Sequence, residues 1–146
     1  MNVIATLICT VVFVVDGDTL DIQCPNILET QRVRLAVVDA PERGQPYFEA
    51  SKTVLEALCL GQDATIHIYE EKDYYQSRVV ATVDCQGINS GEYLLQNGLA
   101  WYSSYYGKKY SLEYLEAFEK QARIGQIQIW SDPKPIRPYD FRRGVR

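Results

Sequence analysis

Histidine is almost missing from this chain: His67 is the only one in 146 residues. That excludes chemistry in which two histidines trade a proton, and any metal site built on imidazoles. The four cysteines, Cys9, Cys24, Cys59 and Cys85, show no CxxC spacing, which argues against a structural zinc site. No apolar run is long enough to cross a membrane. Residues 3–15 are strongly apolar, but no basic residue precedes them and no small-residue cleavage site follows. They read as a strand, and any export signal is expected to lie outside this sequence. Basic charge is also scarce, since 15 lysines and arginines face 19 acids for a net charge of −4. An indiscriminate, high-affinity binder of polyanions would carry the opposite sign.

Hydrophobic residues, by contrast, make up 47% of the chain, and 11 residues are tyrosine. A chain of this length can bury a substantial core as one domain. Charge is unevenly spread. Residues 132–146 hold Lys134, Arg137, Arg142, Arg143 and Arg146 against Asp132 and Asp140, a local excess of +3, which leaves −7 on residues 1–131. We therefore divide the chain into a body, 1–131, and a basic, proline-containing tail, 132–146. An acidic body suits a cation site better than a broad phosphate track, although a few placed arginines still suffice to grip a phosphate.

Residues 4–15 and 18–24 alternate as two antiparallel strands around Asp16-Gly17-Asp18, and 31–38 alternates as a third. Residues 47–60 predict a helix whose apolar stripe is Phe48, Val54, Leu55, Leu58 and Cys59, closed by Gly61. Strands at 63–70 and 78–84 flank a polar hairpin. A short helix capped by Asn89 or Ser90 ends at Gly98, and another runs from Ser111 to Gly125. The tail, with three prolines and no periodicity, predicts an extended strap or a flexible end. Five strands and three helices in this order fit a mainly β, α+β chain folded as an OB-type barrel, with an open α+β sheet as the alternative. Around the Asp16 turn, Cys9 and Cys24 fall close enough for a disulfide, or equally for two small buried hydrophobes. Cys59 and Cys85 read as core or turn residues, and His67 as a solvent-facing strand residue.

Two features carry chemistry. Asp16, Asp18, Asp39 and Glu42 sit at two strand ends, which neighbouring strands would bring together. Clustered carboxylates repel and attract a hard cation such as Ca2+, which takes only oxygen ligands. The same DGDT is also a good hairpin turn, and DAPE a good loop start. Arg34 lies on a core-forming strand, where a guanidinium needs an anion, either a carboxylate or a substrate phosphate. Arg78 opens the fifth strand after a polar loop.

DGDTLDI, RVRLAVVDAPERGQP, RVVA, LLQNGLAW and IWSDPKPIRPYDFRR, in this order over residues 5–143, resemble the staphylococcal nuclease (thermonuclease) family. The specific part is D-G-D-T followed at this spacing by R-L-x-x-x-D-x-P-E. The resemblance implies an OB-fold barrel with three helices and a Ca2+-dependent hydrolase of DNA and RNA phosphodiesters. Asp18, Asp39 and the carbonyl of Ala40 correspond to the metal ligands, and Asp16 to an acid standing behind them. Glu42 corresponds to the carboxylate that activates water, and Arg34 and Arg78 to the arginines on the phosphate. The segment Asp73–Arg78 is one residue longer than the family pattern and lacks its glycine. Tyr106 matches a substrate-side tyrosine, whereas Ser104 stands where a second is usual. Tyr75, Tyr102 and Tyr105 are candidates to stack on a base in its place, or to pack the barrel edge. The implied protein is a monomer that acts on nucleic acid, with single strands preferred and no membrane partner. The family, with a Cys9–Cys24 bridge if one forms, implies a secreted or periplasmic setting, a cytoplasmic one being the alternative. The alternative is an OB-fold module that binds nucleic acid without cutting it; retention of Asp18, Arg34, Asp39 and Glu42 together speaks against it.

Overall fold

The computed structural model describes residues 1–75 and 77–146. Gln76, in the loop ahead of Arg78, lies outside the described residues.

The strands are β1 (Ala5–Asp16), β2 (Thr19–Gln23), β3 (Gln31–Leu35), β4 (Val38–Asp39), β5 (Asp63–Glu70), β6 (Val79–Cys85), β7 (Ile88–Asn89) and β8 (Trp101–Tyr102). Five of them form the barrel, in the order β3-β2-β1-β5-β6, and a parallel β3–β6 pairing closes it. The long β1 serves two neighbours. Ala5–Thr10 pair with β5, and Thr10–Asp16 pair with β2. Register shifts between Val11 and Phe13 and between Val14 and Asp16 let β1 turn that corner, as bulges do in small barrels.

Alternation fills the interior. Val11, Val14, Leu20, Ile22, Val33, Leu35, Ile66, Ala81 and Val83 are buried, as expected of β-branched and aliphatic residues on the inner face. Helix α1 (Phe48–Cys59) closes one end of the barrel through Leu55, Leu58 and Cys59. Helix α2 (Ser90–Gln96) starts at Asn89, whose side chain accepts a hydrogen bond from the Glu92 amide at 3.0 Å. Helix α4 (Glu116–Ile124) ends at Gly125 and is preceded by a 3-10 turn at Glu113–Leu115. These are the three expected helices.

Four features differ from the sequence reading. The third strand stops at Leu35, not at residue 38. Val37 takes a left-handed φ of 76°, and the chain then leaves the barrel to pair as β4 with β8, Val38 opposite Tyr102. A short helix α3 (Ser104–Lys109) follows, capped by the Ser103 hydroxyl, which accepts from the Tyr106 amide at 3.4 Å. The tail is not extended throughout: α5 (Pro138–Arg142) begins on a proline, whose fixed φ suits the first helical turn. Finally, Cys59 and Cys85 are bonded to each other, as Cys9 and Cys24 are. The Cys9–Cys24 bridge lies one step beyond the Thr10–Gln23 pair of the β1–β2 ladder, whereas Cys59–Cys85 fixes the C-terminus of α1 to the end of β6. His67 is half-buried beside Asp84, with Nε2 3.2 Å from the carboxylate.

Candidate active site

Three stretches meet at one end of the barrel: the β1–β2 turn, the end of β3, and the β4 segment running into residues 40–45. Asp18 is 6% exposed. Its backbone N–H donates to Asp16 Oδ1 at 3.0 Å, which shapes the turn. Its carboxylate accepts from the Thr19 hydroxyl at 3.0 Å and from the Ala40 N–H at 2.8 Å. Gly17 is required by crowding: a Cβ there would lie 1.9 Å from Ser51 Oγ and 2.8 Å from Ala40 Cβ. The acidic turn is therefore pressed against both α1 and the 39–40 segment.

Arg34 is held from behind. Its Nη1 donates to the carbonyls of Leu35 at 2.8 Å and Val38 at 2.6 Å, and the chain's departure at Val37 turns those carbonyls toward it. Its Nη2 lies 3.5 Å from Asp18 Oδ2 and 3.3 Å from Asp39 Oδ1. One nitrogen thus touches both carboxylates expected to converge. Glu42 begins a turn in which its N–H donates to Gln45 Oε1 and the Gln45 N–H donates back to its carbonyl, each at 2.8 Å. Opposite stands a residue the sequence reading did not place here. Arg142, from α5, spans Asp39 with Nη1 and Nη2, each 3.2 Å from a carboxylate oxygen, and pairs with Glu42 through Nη1.

Four carboxyls and two guanidiniums leave the patch electronegative. Burial, and next the charge on Asp18, push Asp16 up to about 7. Burial also opposes the charge of Asp18, but Arg34 and the hydrogen bonds from its neighbours outweigh that and hold it below the usual carboxylate range. Burial works against the charge of Arg34 too, yet Asp18 and Asp39 keep it protonated.

A family model described as "Staphylococcal nuclease homologue" matches residues 32–132, more than half of the chain. The chain belongs to the staphylococcal nuclease family. Among its relatives, "Micrococcal nuclease" of Shigella flexneri is 34% identical over 143 residues, covering 93% of this chain and 80% of that protein. An "Uncharacterized endonuclease" of Haemophilus influenzae is 36% identical over 137 residues, covering 92% and 72%. A "Probable staphylococcal-like nuclease" of Oryza sativa subsp. japonica is 32% identical over 130 residues, covering 85% of this chain and 38% of that protein. The chain spans about a third of the length of the plant relatives it matches, 32% in Capnoides sempervirens.

Within this nuclease-family chain, Asp16, Asp18, Arg34, Asp39, Ala40 and Glu42 come together. Arg78 is engaged by its own loop. Its Nε pairs with Asp73, its N–H donates to the same carboxylate at 3.3 Å, and its guanidinium lies 5.3 Å from the Tyr75 ring centre. Because β3 and β6 run parallel with Arg34 opposite Val80, Arg78 still starts on the edge nearest Arg34. Of the tyrosines, Tyr75 and Tyr105 are each 69% exposed. Tyr106 lies edge-on to Tyr105 and stacks on Tyr110 at 6.0 Å. Tyr102 is committed to packing, since a Cβ on Gly107 would come within 2.0 Å of its hydroxyl.

The donors fit a hard cation in kind: oxygen only, with excess negative charge. Among the described residues, no three carboxylate, histidine or cysteine side chains are grouped to hold a metal ion. Both oxygens of Asp39 face Arg142. The basic excess of the tail was the only sequence signal for Arg142, and it did not say which residue reaches the site.

Proposed function

We propose that the chain is a Ca2+-dependent nuclease that hydrolyses phosphodiester bonds in DNA and RNA. The observation that carries this is the meeting of Asp18 and Asp39 at Arg34, with Glu42 joined to Asp39 through Arg142. Asp18, Asp39 and the Ala40 carbonyl would hold the ion, with Asp16 fixing the Asp18 turn from behind. Bound there, the ion supplies Lewis-acid charge to the phosphate.

The protein's own residues do the rest. Attack on a phosphodiester gathers charge on the non-bridging oxygens, and Arg34 is pre-positioned to meet it by two carbonyls and two carboxylates. Glu42 takes or orients the proton of the attacking water, a task that needs a carboxylate near the line of attack and no histidine. Arg78 joins as a second phosphate ligand if it exchanges Asp73 for substrate, and Tyr106 with Tyr75 or Tyr105 offers faces for unstacked bases. Single-stranded or fraying substrate is preferred on this account. Two disulfides suit an oxidising compartment, periplasmic or extracellular. No helix among the described residues is long and apolar enough to cross a membrane.

The test is the chemistry of the ends. With water attacking in line with the 5′ oxygen, fragments carry 5′-hydroxyl and 3′-phosphate groups. A digest of single-stranded DNA should therefore accept label from polynucleotide kinase without prior phosphatase treatment. Fragments with 5′-phosphates would overturn the assigned geometry. Binding without cleavage would favour the alternative, a silent nucleic-acid module, which the closure of Asp39 and Glu42 by Arg142 also fits.

A further inference from the structure

The cation that sits on Asp39 and Glu42 is the chain's own. Arg142 uses both ends of its fork on Asp39, at 3.2 Å each, and reaches Glu42 with one of them. With Arg34 Nη2 also 3.3 Å from Oδ1, the Arg142 fork leaves neither oxygen of Asp39 free of a guanidinium. Two other contacts hold the tail over the same loop: Gln45 Nε2 donates to the Ile136 carbonyl at 2.9 Å, and the Phe141 ring lies 3.7 Å from where a Cβ on Gly44 would stand. The hold is light. Helix α5 has five residues, Pro138 is its only buried one, and the Arg142 side chain is 40% exposed.

We infer that the tail is a self-blocking strap, closed when Arg142 occupies Asp39 and Glu42 and opened when a divalent cation takes Asp39. This rests on the calcium reading above. Closure and ion binding exclude each other, so each weakens the other by the same factor. The apparent affinity for the ion falls by the fraction of molecules whose strap is open. Arg142 is therefore a built-in competitor, set to hold the site shut where the ion is scarce.

Calorimetric titration of Ca2+ into the full chain, Arg142→Ala and Arg143→Ala separates the possibilities. Arg143 donates to Tyr139 Oη at 3.3 Å, so its loss removes one nearby charge without freeing Asp39 or Glu42. The Arg142→Ala protein should bind Ca2+ about tenfold more tightly, as expected of a strap closed nine times in ten, and Arg143→Ala within about twofold of the parent. Independently, saturating Ca2+ should speed hydrogen exchange at the amides of Phe141 and Gly144, which donate to Arg137 and Phe141 carbonyls in the closed strap. Equal affinities for the two variants, or tail protection indifferent to Ca2+, would overturn the strap and leave the nuclease reading standing. Failure of all three proteins to bind Ca2+ would remove both.

Discussion

Glu42→Gln should lower the turnover number on single-stranded DNA by about 10³-fold, within the range by which a positioned general base accelerates a reaction. The fold should be untouched. Glu42 is half-exposed, and its backbone makes the turn with Gln45 through groups the substitution leaves in place. The substitution also weakens the contact with Arg142, so any influence of the tail is relieved. A large loss cannot then be attributed to a tighter strap. Turnover measured at saturating Ca2+, alongside a thermal melt, checks this. A melt within about 2 °C of the parent is expected for such a surface change. Near-parental turnover would take Glu42 out of the mechanism.

Replacing Cys59 and Cys85 together by alanine should cost about 3 kcal/mol of stability. For a chain of this size that is roughly 10 °C in the melting temperature. The bridge closes a loop with a sequence separation of 26, against 15 for Cys9–Cys24. Loop-closure entropy makes the longer one worth about 0.5 kcal/mol more. Its position adds a functional consequence. Helix α1 carries Ser51 against Gly17 in the acidic turn, and Cys59–Cys85 pins the far end of that helix to β6. Loss of the bridge should therefore lower the temperature at which activity fails together with the melting temperature. A melt of the double variant that coincides with the parent's would show that the bridge adds nothing.

Sequence and structure agree where local chemistry decides the outcome. Alternating β-branched residues placed the five barrel strands, and the Asn89 and Gly125 punctuation placed two of the helix ends. Four members of the site, Asp18, Arg34, Asp39 and Glu42, lie at strand ends or turns that the same patterns mark. What escaped depends on distant partners. Val37 looks like a strand residue, and its left-handed turn is imposed by tertiary ties, with Ala36 donating to Ala81 and Ser103 to the Val37 carbonyl. Cys59 and Cys85 share no local ladder. Helices α3 and α5 have six and five residues, too short for periodicity to show. Arg142 reaches Glu42 across a separation of 100 residues, with nothing in its neighbours to mark it among the tail arginines. Arg78, plausible by position, is claimed by Asp73 five residues before it.

The central claim is that the carboxylates seat an ion without which the phosphodiester is not cut. The initial rate of single-stranded DNA hydrolysis, measured with Ca2+, then with a chelator, then with Ca2+ restored, tests it most directly. The rate should fall to background in chelator and return in full on restoration. A rate undiminished by chelation would contradict the account.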